Sequence, residues 1–348
     1  MRIVFVLPGR GASGGVRVTC AMATRLRDRG HDIRILCHQD QSIMNRCKSV
    51  RDRIFYSGAA DWLDLFAGRV DNFCDLTECR FENDEVIVAV GMSISAEMQR
   101  LAPLPNAKVQ YIHGATPWAR ELMQRALSIP LPKIIVASYL EEIVEKLGQG
   151  EIVALIHNGV DRDDYFRSFS EQRDGVGLIY SSHWAKDPAT TLAVIEQLSS
   201  RHPTLPIRVF GADRRPSQIR PSMYRRYPSV KEARQIYCRS QVWVMASQSE
   251  GFSMPVLEAM ACGCCVVATD CGGTRDMIIN GENGFLVPTG NLQEIIHKVE
   301  MLLSDPDLRA RLSDRAEETA EQFDWESSID KLEITLAGLC KDSCLVAR

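Results

Sequence analysis

Short apolar runs alternate with helical patterns along this chain, and the alternation starts afresh half-way. That restricts the fold to parallel-sheet α/β units, built twice. The first cycle opens with the run Arg2–Leu7 and passes through a glycine-rich turn into a helix over residues 16–29. Gly30 ends that helix, and residues 32–37 read as a second buried strand. Further strand-like runs follow at Glu85–Val90, Lys108–Ile112 and residues 133–137. The second cycle begins at residues 175–180 and continues at 207–210, 242–246 and 265–268, with amphipathic helices such as 188–199 between them. Residues 161–174 are polar and charged, which suits a linker between two domains. In open α/β sheets ligands bind outside the carboxyl ends of the strands, so the loops that follow strands are where chemistry is expected. Residues 41–84 give no pattern to which a function can be attached, and no solenoid period is present.

At 348 residues the chain is long enough for two domains of ordinary size, and 45% hydrophobic with 25% charged residues is a globular composition. No uninterrupted apolar stretch is long enough to span a membrane, and the opening MRIVFVLPGR lacks the features of a signal peptide. A cytosolic protein is expected. A formal charge of −4 gives no electrostatic case for binding nucleic acid. The local run Arg214, Arg215, Arg220, Arg225 and Arg226 reads either as a solvated face or as a phosphate-facing loop. The 12 cysteines suggest a reducing compartment, with neither a disulfide framework nor a metal site. Cys262, Cys264 and Cys265 look metal-like, but a helix end at Gly263 followed by a strand would point Cys264 and Cys265 to opposite faces.

The segment from Glu250 to Gly263, EGFSMPVLEAMACG, is the most informative. Ser253 suits an N-cap, Pro255 fits a first helical turn, Gly263 closes the helix, and Met254, Leu257 and Ala261 can share one buried face. The start of such a helix offers unpaired N–H groups and a partial positive charge, which suit a diphosphate. Glu250 and Glu258 flank that end, matching a ligand with hydroxyls on both sides of a diphosphate. The alternative is that both glutamates are ordinary exposed residues.

The segment resembles the signature of the retaining, nucleotide-sugar-dependent glycosyltransferases of the group 1 type, family 4, with the GT-B fold. Other stretches carry the resemblance further: Ile156-His-Asn-Gly-Val-Asp161, Ala268-Thr-Asp-Cys-Gly272-Gly273-Thr, Asn280-Gly-Glu-Asn-Gly284 and Phe323-Asp-Trp325-Glu. The resemblance implies two Rossmann-like doubly wound domains facing a central cleft. Residues 1–163 would form the acceptor-side domain and 164–325 the nucleotide-sugar domain. A last helix, 326–340, would cross back to the first domain.

It also implies roles. Glu250 would lie by the donor sugar's hydroxyls and Glu258 by the ribose diol, while Gly251, Phe252, Ser253 and Met254 would hold sugar or phosphate at the helix end. Lys186 would neutralise charge on the leaving diphosphate. His113, in Tyr111-Ile-His113-Gly114, would stand near the donor sugar; a structural histidine is the alternative. No cofactor and no metal are implied, and attack would come from the front side with retention. Two departures stand out. The family's arginine five residues before the lysine is Ser181 here, and its Gly-x-Gly turn is Gly211-Ala-Asp213. Arg214 or Arg215 would be the compensating cation.

Gly9-Arg10-Gly11-Ala12-Ser13-Gly14 also fits the G-x-G-x-x-G of dinucleotide-binding dehydrogenases. The acid expected after the second strand is late, at Asp40, behind Cys37, His38 and Gln39. In the transferase reading Gly14 and Gly15 let the loop approach donor or acceptor. A non-enzymatic nucleotide-sugar-binding relative is a further alternative. The acceptor hydroxyl is not identified, whether on a glycan, a lipid-linked carrier or a small molecule. Trp118 with residues 120–131 forms either a peripheral membrane surface or a core-facing helix. A UDP-sugar is the commonest donor in the family.

Overall fold

The computed structural model describes residues 1–11, 14–39, 61–115 and 119–346. They form two compact units. One holds the described residues up to Asn158 together with those from Trp325 onward, and the other is Gly159–Asp324.

In the first unit, β1 (Arg2–Leu7), β2 (Asp32–His38), β3 (Arg69–Phe73), β4 (Glu85–Val90), β5 (Lys108–Ile112), β6 (Lys133–Ile135) and β7 (Ile152–Leu155) make one sheet in the order 3-2-1-4-5-6-7. Its pairings are parallel, with Phe5 opposite Ile35 on one side and Val88 on the other. A strand covered on both faces must be apolar throughout, and β1 and β4 are buried along nearly their whole length. The order reverses between β1 and β4, so the loops after these two strands flank the crevice where a doubly wound sheet takes ligands. Helix α1 (Gly14–Asp28) follows β1, and α2 (Trp62–Leu65) precedes β3. Helix α3 (Met92–Glu97) follows β4, α4 (Arg120–Leu127) follows β5, and α5 (Tyr139–Leu147) follows β6. Helix α4 buries Met123, Ala126 and Leu127 and packs on α3, so it faces the core; Trp118 lies outside the described residues.

The second unit repeats the pattern. Strands β8 (Val176–Ile179), β9 (Ile207–Gly211), β10 (Tyr224–Arg226), β11 (Val242–Met245), β12 (Cys265–Thr269) and β13 (Phe285–Val287) lie in the order 10-9-8-11-12-13, again with parallel pairings. Here the reversal falls between β8 and β11. The helices are α6 (Pro188–Arg201), α7 (Val230–Arg239), α8 (Met254–Ala261), α9 (Leu292–Ser304) and α10 (Pro306–Glu321). Cys264 donates from Sγ to the Tyr237 carbonyl at 3.0 Å and Cys265 to the Arg309 carbonyl at 3.1 Å, so the adjacent thiols face different helices.

The last helix, α11 (Trp325–Val346), returns to the first unit. Arg29, just past α1, donates to Asp330 at 2.6 Å, Glu326 at 2.5 Å and Glu333 at 3.0 Å, while Arg25 stacks over the Trp325 ring. One exposed ion pair contributes little, but a guanidinium shared by three carboxylates on successive turns fixes the helix register.

Candidate functional site

Lys186 and Glu250 sit on the loops after β8 and β11, the two strands at the order reversal of the second unit. The loop after β8 makes a 3-10 turn at Trp184–Lys186, then Asp187 takes a left-handed conformation with φ of 45° and caps α6 by accepting from the Thr190 N–H at 3.0 Å. The Gln248 N–H donates to the Ala185 carbonyl at 2.8 Å, which ties this loop to the next one. Lys186 Nζ then donates to Glu250 Oε1 at 2.6 Å, and Ser247 Oγ donates to the same oxygen at 2.6 Å. The Lys186 side chain is 28% exposed and that of Glu250 only 9%, so the pair stands at the protein surface with its carboxylate sunk into the wall.

The loop after β12 locks Glu250 from behind. The Glu250 N–H donates to the Cys271 carbonyl and the Gly273 N–H to the Glu250 carbonyl, both at 3.1 Å. A Cβ on Gly273 would stand 2.5 Å from the Gly251 carbonyl oxygen, so only glycine permits the two loops to approach this closely.

Both glutamates are buried, at 8% and 3% exposure, so the reading of them as ordinary exposed residues is wrong. Glu258 accepts a hydrogen bond from the Tyr237 hydroxyl at 2.9 Å. Burial, followed by the charge of Glu258, pushes the Tyr237 hydroxyl's ionisation well above its usual range, so it remains a donor. Tyr237 itself is held by the fully buried Trp243, ring centroids 4.5 Å apart, and by Phe210 at 5.7 Å. Aromatic pairs of this kind contribute about 0.5–1.5 kcal/mol each beyond their area.

Helix α8 departs from the expected one-faced pattern, since every residue from Val256 to Ala261 is buried. Ser253 occupies the N-cap position, but its side chain caps nothing: the hydroxyl is fully buried and has no hydrogen-bond partner among the described residues. The Met254 N–H is already bonded to the Phe252 carbonyl at 2.9 Å, and Pro255 has no N–H. Phe252 is buried against Phe323, and Gly251 and Met254 are half-buried. The Ser253 hydroxyl is therefore a donor left unused at this helix start. An orphaned buried hydroxyl costs roughly 1–3 kcal/mol unless something outside the chain satisfies it.

Ser181 does not stand alone. Its Oγ donates to Asp213 Oδ2 at 3.0 Å, and the same oxygen accepts from the Ser182 N–H at 2.7 Å and the Ser182 hydroxyl at 3.0 Å. The two sequence departures are thus partners: where a cation was expected there is a serine, and where a glycine was expected there is the carboxylate that serine holds. Gly211 is required by the scaffold, because a Cβ would meet the Tyr180 carbonyl oxygen at 2.1 Å. Arg215 donates from Nη1 to the carbonyls of Pro216 and Ile219. Arg214 is exposed with no described partner.

In the first unit His113 follows β5 with its ring 4.5 Å from that of Tyr111. Its Nε2 is shut off from solvent and has no hydrogen-bond partner among the described residues. Desolvation lowers its pKa to about 4, so the imidazole is neutral at pH 7. Gly14 and Gly15 begin α1 with open space around them. Arg10 in the same loop is held by Asp61 at 2.8 Å and Asp64 at 2.6 Å, and Asp61 also caps α2 through the Leu63 N–H at 3.1 Å. Sequence reasoning missed Asp61 because its partner is 51 positions away. Asp40, the acid of the dinucleotide reading, lies outside the described residues.

Comparison with known proteins adds independent findings. Residues 223–319 match the family Glycosyl transferases group 1. The chain is 36% identical over 104 residues to the sulfoquinovosyl transferase SQD2 of Arabidopsis thaliana, covering 29% of this chain and 20% of that protein. It is 39% identical over 83 residues to an N,N'-diacetylbacillosaminyl-diphospho-undecaprenol alpha-1,3-N-acetylgalactosaminyltransferase of Campylobacter jejuni, covering 24% and 22%. The matched segments thus span about a fifth of these relatives' lengths. Among solved structures, Anabaena HepE in complex with UDP superposes with a TM-score of 0.76 at 17% identity, over 97% of this chain and 100% of that one. Sucrose-phosphate synthase from Thermosynechococcus elongatus gives 0.71 at 13% identity, over the full length of both. These likenesses do not favour the dehydrogenase reading of the glycine loop. No helix among the described residues is long and apolar enough to cross a membrane. Residues 223–319 thus resemble the group 1 glycosyl transferases, and the two Rossmann-like sheets give the chain the GT-B fold.

Proposed function

We propose that the chain is a retaining, metal-independent glycosyltransferase that moves a hexosyl-type sugar from a nucleoside-diphosphate sugar to an acceptor hydroxyl. The observation that carries this reading is the Lys186–Glu250 pair on the two loops at the order reversal of one sheet, with the orphaned Ser253 hydroxyl three residues on in the second of them. Lys186 keeps ammonium protons for an incoming diphosphate and offsets the charge that grows as the glycosidic bond to phosphate breaks. Glu250, held in place by Ser247 and the Gly273 loop, accepts hydrogen bonds from sugar hydroxyls. Ser253 donates to a phosphate oxygen or sugar hydroxyl at the start of α8. Glu258, oriented by Tyr237, accepts from the ribose diol. In this reading the leaving phosphate takes the acceptor's proton, so no side-chain nucleophile is required. Neutral His113 supplies a hydrogen bond to the donor sugar without adding charge. HepE, which shares the fold, was solved with UDP and with UDP-glucose, and this makes uridine diphosphate the first nucleotide to try.

The test is thermal stabilisation by uridine, guanosine, thymidine and adenosine diphosphates, with NAD and NADP alongside. A ligand of the folded state stabilises by about 2.7 kcal/mol at a hundredfold excess over its dissociation constant. A shift with one nucleoside diphosphate that disappears in Glu258→Ala is the expected result. A shift with NAD or NADP alone would sink the reading.

A further inference from the structure

The first unit contains a cavity that the donor machinery does not use. It has a volume of about 330 Å³ and opens at the carboxyl ends of β1, β2 and β3, beside the start of α3. Its size lies at the lower end of the roughly 300–1,000 Å³ typical of small-molecule sites. His38 and Phe73, paired in register on β2 and β3 with rings 5.4 Å apart, form one wall. Ser93, Glu97 and Arg100 form the other; at spacings of four and three they share one face of α3 and the turn that continues it. Ile94, 4% exposed, supplies an apolar floor with Phe73.

The charges decide what such a cavity accepts. Arg100 donates to Glu97 Oε2 and to Asp75 Oδ2, both at 2.9 Å. Asp75 is ionised at any ordinary pH: its hydrogen bonds from Thr77, then that from Arg100, hold its pKa down to about 2. One guanidinium is therefore matched by Glu97 in the wall and by Asp75 beside it, and among the described residues no other lysine or arginine lines the walls. A phosphate or carboxylate entering here would find no unmatched cation among the described residues. What remains available is a hydroxyl on Ser93, carboxylate lone pairs on Glu97, an imidazole on His38 and an apolar face. That set suits a ring with hydroxyls on its edge and C–H groups on its face.

We propose that this cavity binds one neutral monosaccharide unit, and that this unit is the part of the acceptor the first unit recognises. The second clause rests on the transferase reading; the first does not.

The experiment is saturation-transfer NMR on the full chain without nucleotide, using the methyl glycosides of glucose, galactose, mannose and N-acetylglucosamine. Glucose 6-phosphate and glucuronic acid serve as the anionic counterparts. At least one neutral glycoside should bind, and Ser93→Val or Glu97→Ala should weaken it about tenfold, the order of a lost hydrogen bond to a charged group. The exposed substitution Glu318→Ala, remote from both sites, should leave that binding unchanged. Freeing Arg100 by Asp75→Asn with Glu97→Gln should raise affinity for glucose 6-phosphate about tenfold, again the order of one charged hydrogen bond. Thermal midpoints confirm that each variant is folded. No binding of any neutral glycoside, binding indifferent to Ser93→Val and Glu97→Ala, or preference of the natural chain for the anionic sugars would each overturn the assignment. A methyl glycoside and the same ring at the end of a disaccharide separate a small-molecule acceptor from a glycan end. Binding of either supports the cavity, and binding of neither overturns it. Sugar binding in a chain that binds no nucleoside diphosphate would remove only the acceptor clause. Nucleotide binding without sugar binding would remove the cavity assignment and leave the transferase reading intact.

Discussion

Each unit holds a lysine against its parallel sheet, and the two are built for opposite purposes. Lys133, the first residue of β6, is fully buried, and its ammonium donates to the carbonyls of Ile129 at 3.0 Å, Leu131 at 2.9 Å and Gln149. Its partners are neutral backbone groups of its own unit, and burial lowers its pKa to about 8. Lys186 lies on a loop with its side chain 28% exposed and one carboxylate beside it. An ammonium has three protons to donate: Lys133 spends them on the scaffold, whereas Lys186 holds protons back. Where the donors go, more than burial alone, separates a lysine that holds a fold together from one that can receive an anion.

The largest expected effects test that contrast directly. Lys186→Ala should lower kcat/KM for sugar transfer about 10²–10³-fold, the usual loss when one preorganised donor to developing charge is removed. Its stability should fall far less than its turnover, because Lys186 is partly exposed and Glu250 keeps the Ser247 hydroxyl. Lys133→Met should do the reverse. It leaves the Leu131 and Gln149 carbonyls without their donor, which costs about 2–6 kcal/mol of stability at roughly 1–3 per orphaned group, while turnover by the folded fraction persists. If Lys133→Met abolished turnover in a stable protein, or Lys186→Ala unfolded it, the contrast would be broken.

What could be read from the sequence follows the same division. The repeated alternation gave both sheets because strands buried on two faces must be apolar, and β1, β4, β11 and β12 are. Edge strands escaped: β3 and β10 are short and largely polar or half-exposed, so they carry no periodic signal. Local motifs that resemble a family's single out Lys186, Glu250 and Glu258, and the structure places the first two on facing loops and the third in α8. The contacts that set those residues did not show, since Tyr237 is 21 positions from Glu258 and Ser181 is 32 from Asp213. Helix α8 misled in its own way, because a helix buried all round has no apolar stripe to distinguish from its other faces.

The Ser181–Asp213 pair sharpens the comparison at intermediate size. A cation placed at 181 alone would be captured by the Asp213 carboxylate, its donors then occupied by the scaffold in the way those of Lys133 are. Ser181→Arg should therefore leave nucleoside-diphosphate affinity nearly unchanged. Ser181→Arg together with Asp213→Gly should raise it about tenfold, the scale of one charge-assisted hydrogen bond. Isothermal titration with uridine diphosphate reads both variants. A large gain from the single substitution would show that Asp213 does not control this position.

The smallest effect concerns His113, whose Nε2, like the Lys133 ammonium, is shut off from solvent with no opposite charge beside it among the described residues. Its folded pKa is lowered to about 4 by desolvation, against about 6.5 for a free imidazole. Between those values the unfolded chain takes up a proton that the folded chain refuses. Stability from this group is therefore intact above pH 6.5, falls as pH drops through the window, and changes no further below about 4. His113→Phe keeps the ring against Tyr111 and removes the titration, so its thermal midpoint should fall less than that of the natural chain between pH 7 and pH 4. The imidazole resonances should titrate near pH 4. An ordinary midpoint near 6.5, with parallel stability profiles for the two proteins, would mean that His113 is solvated and that enclosure without an opposite charge is confined to Lys133.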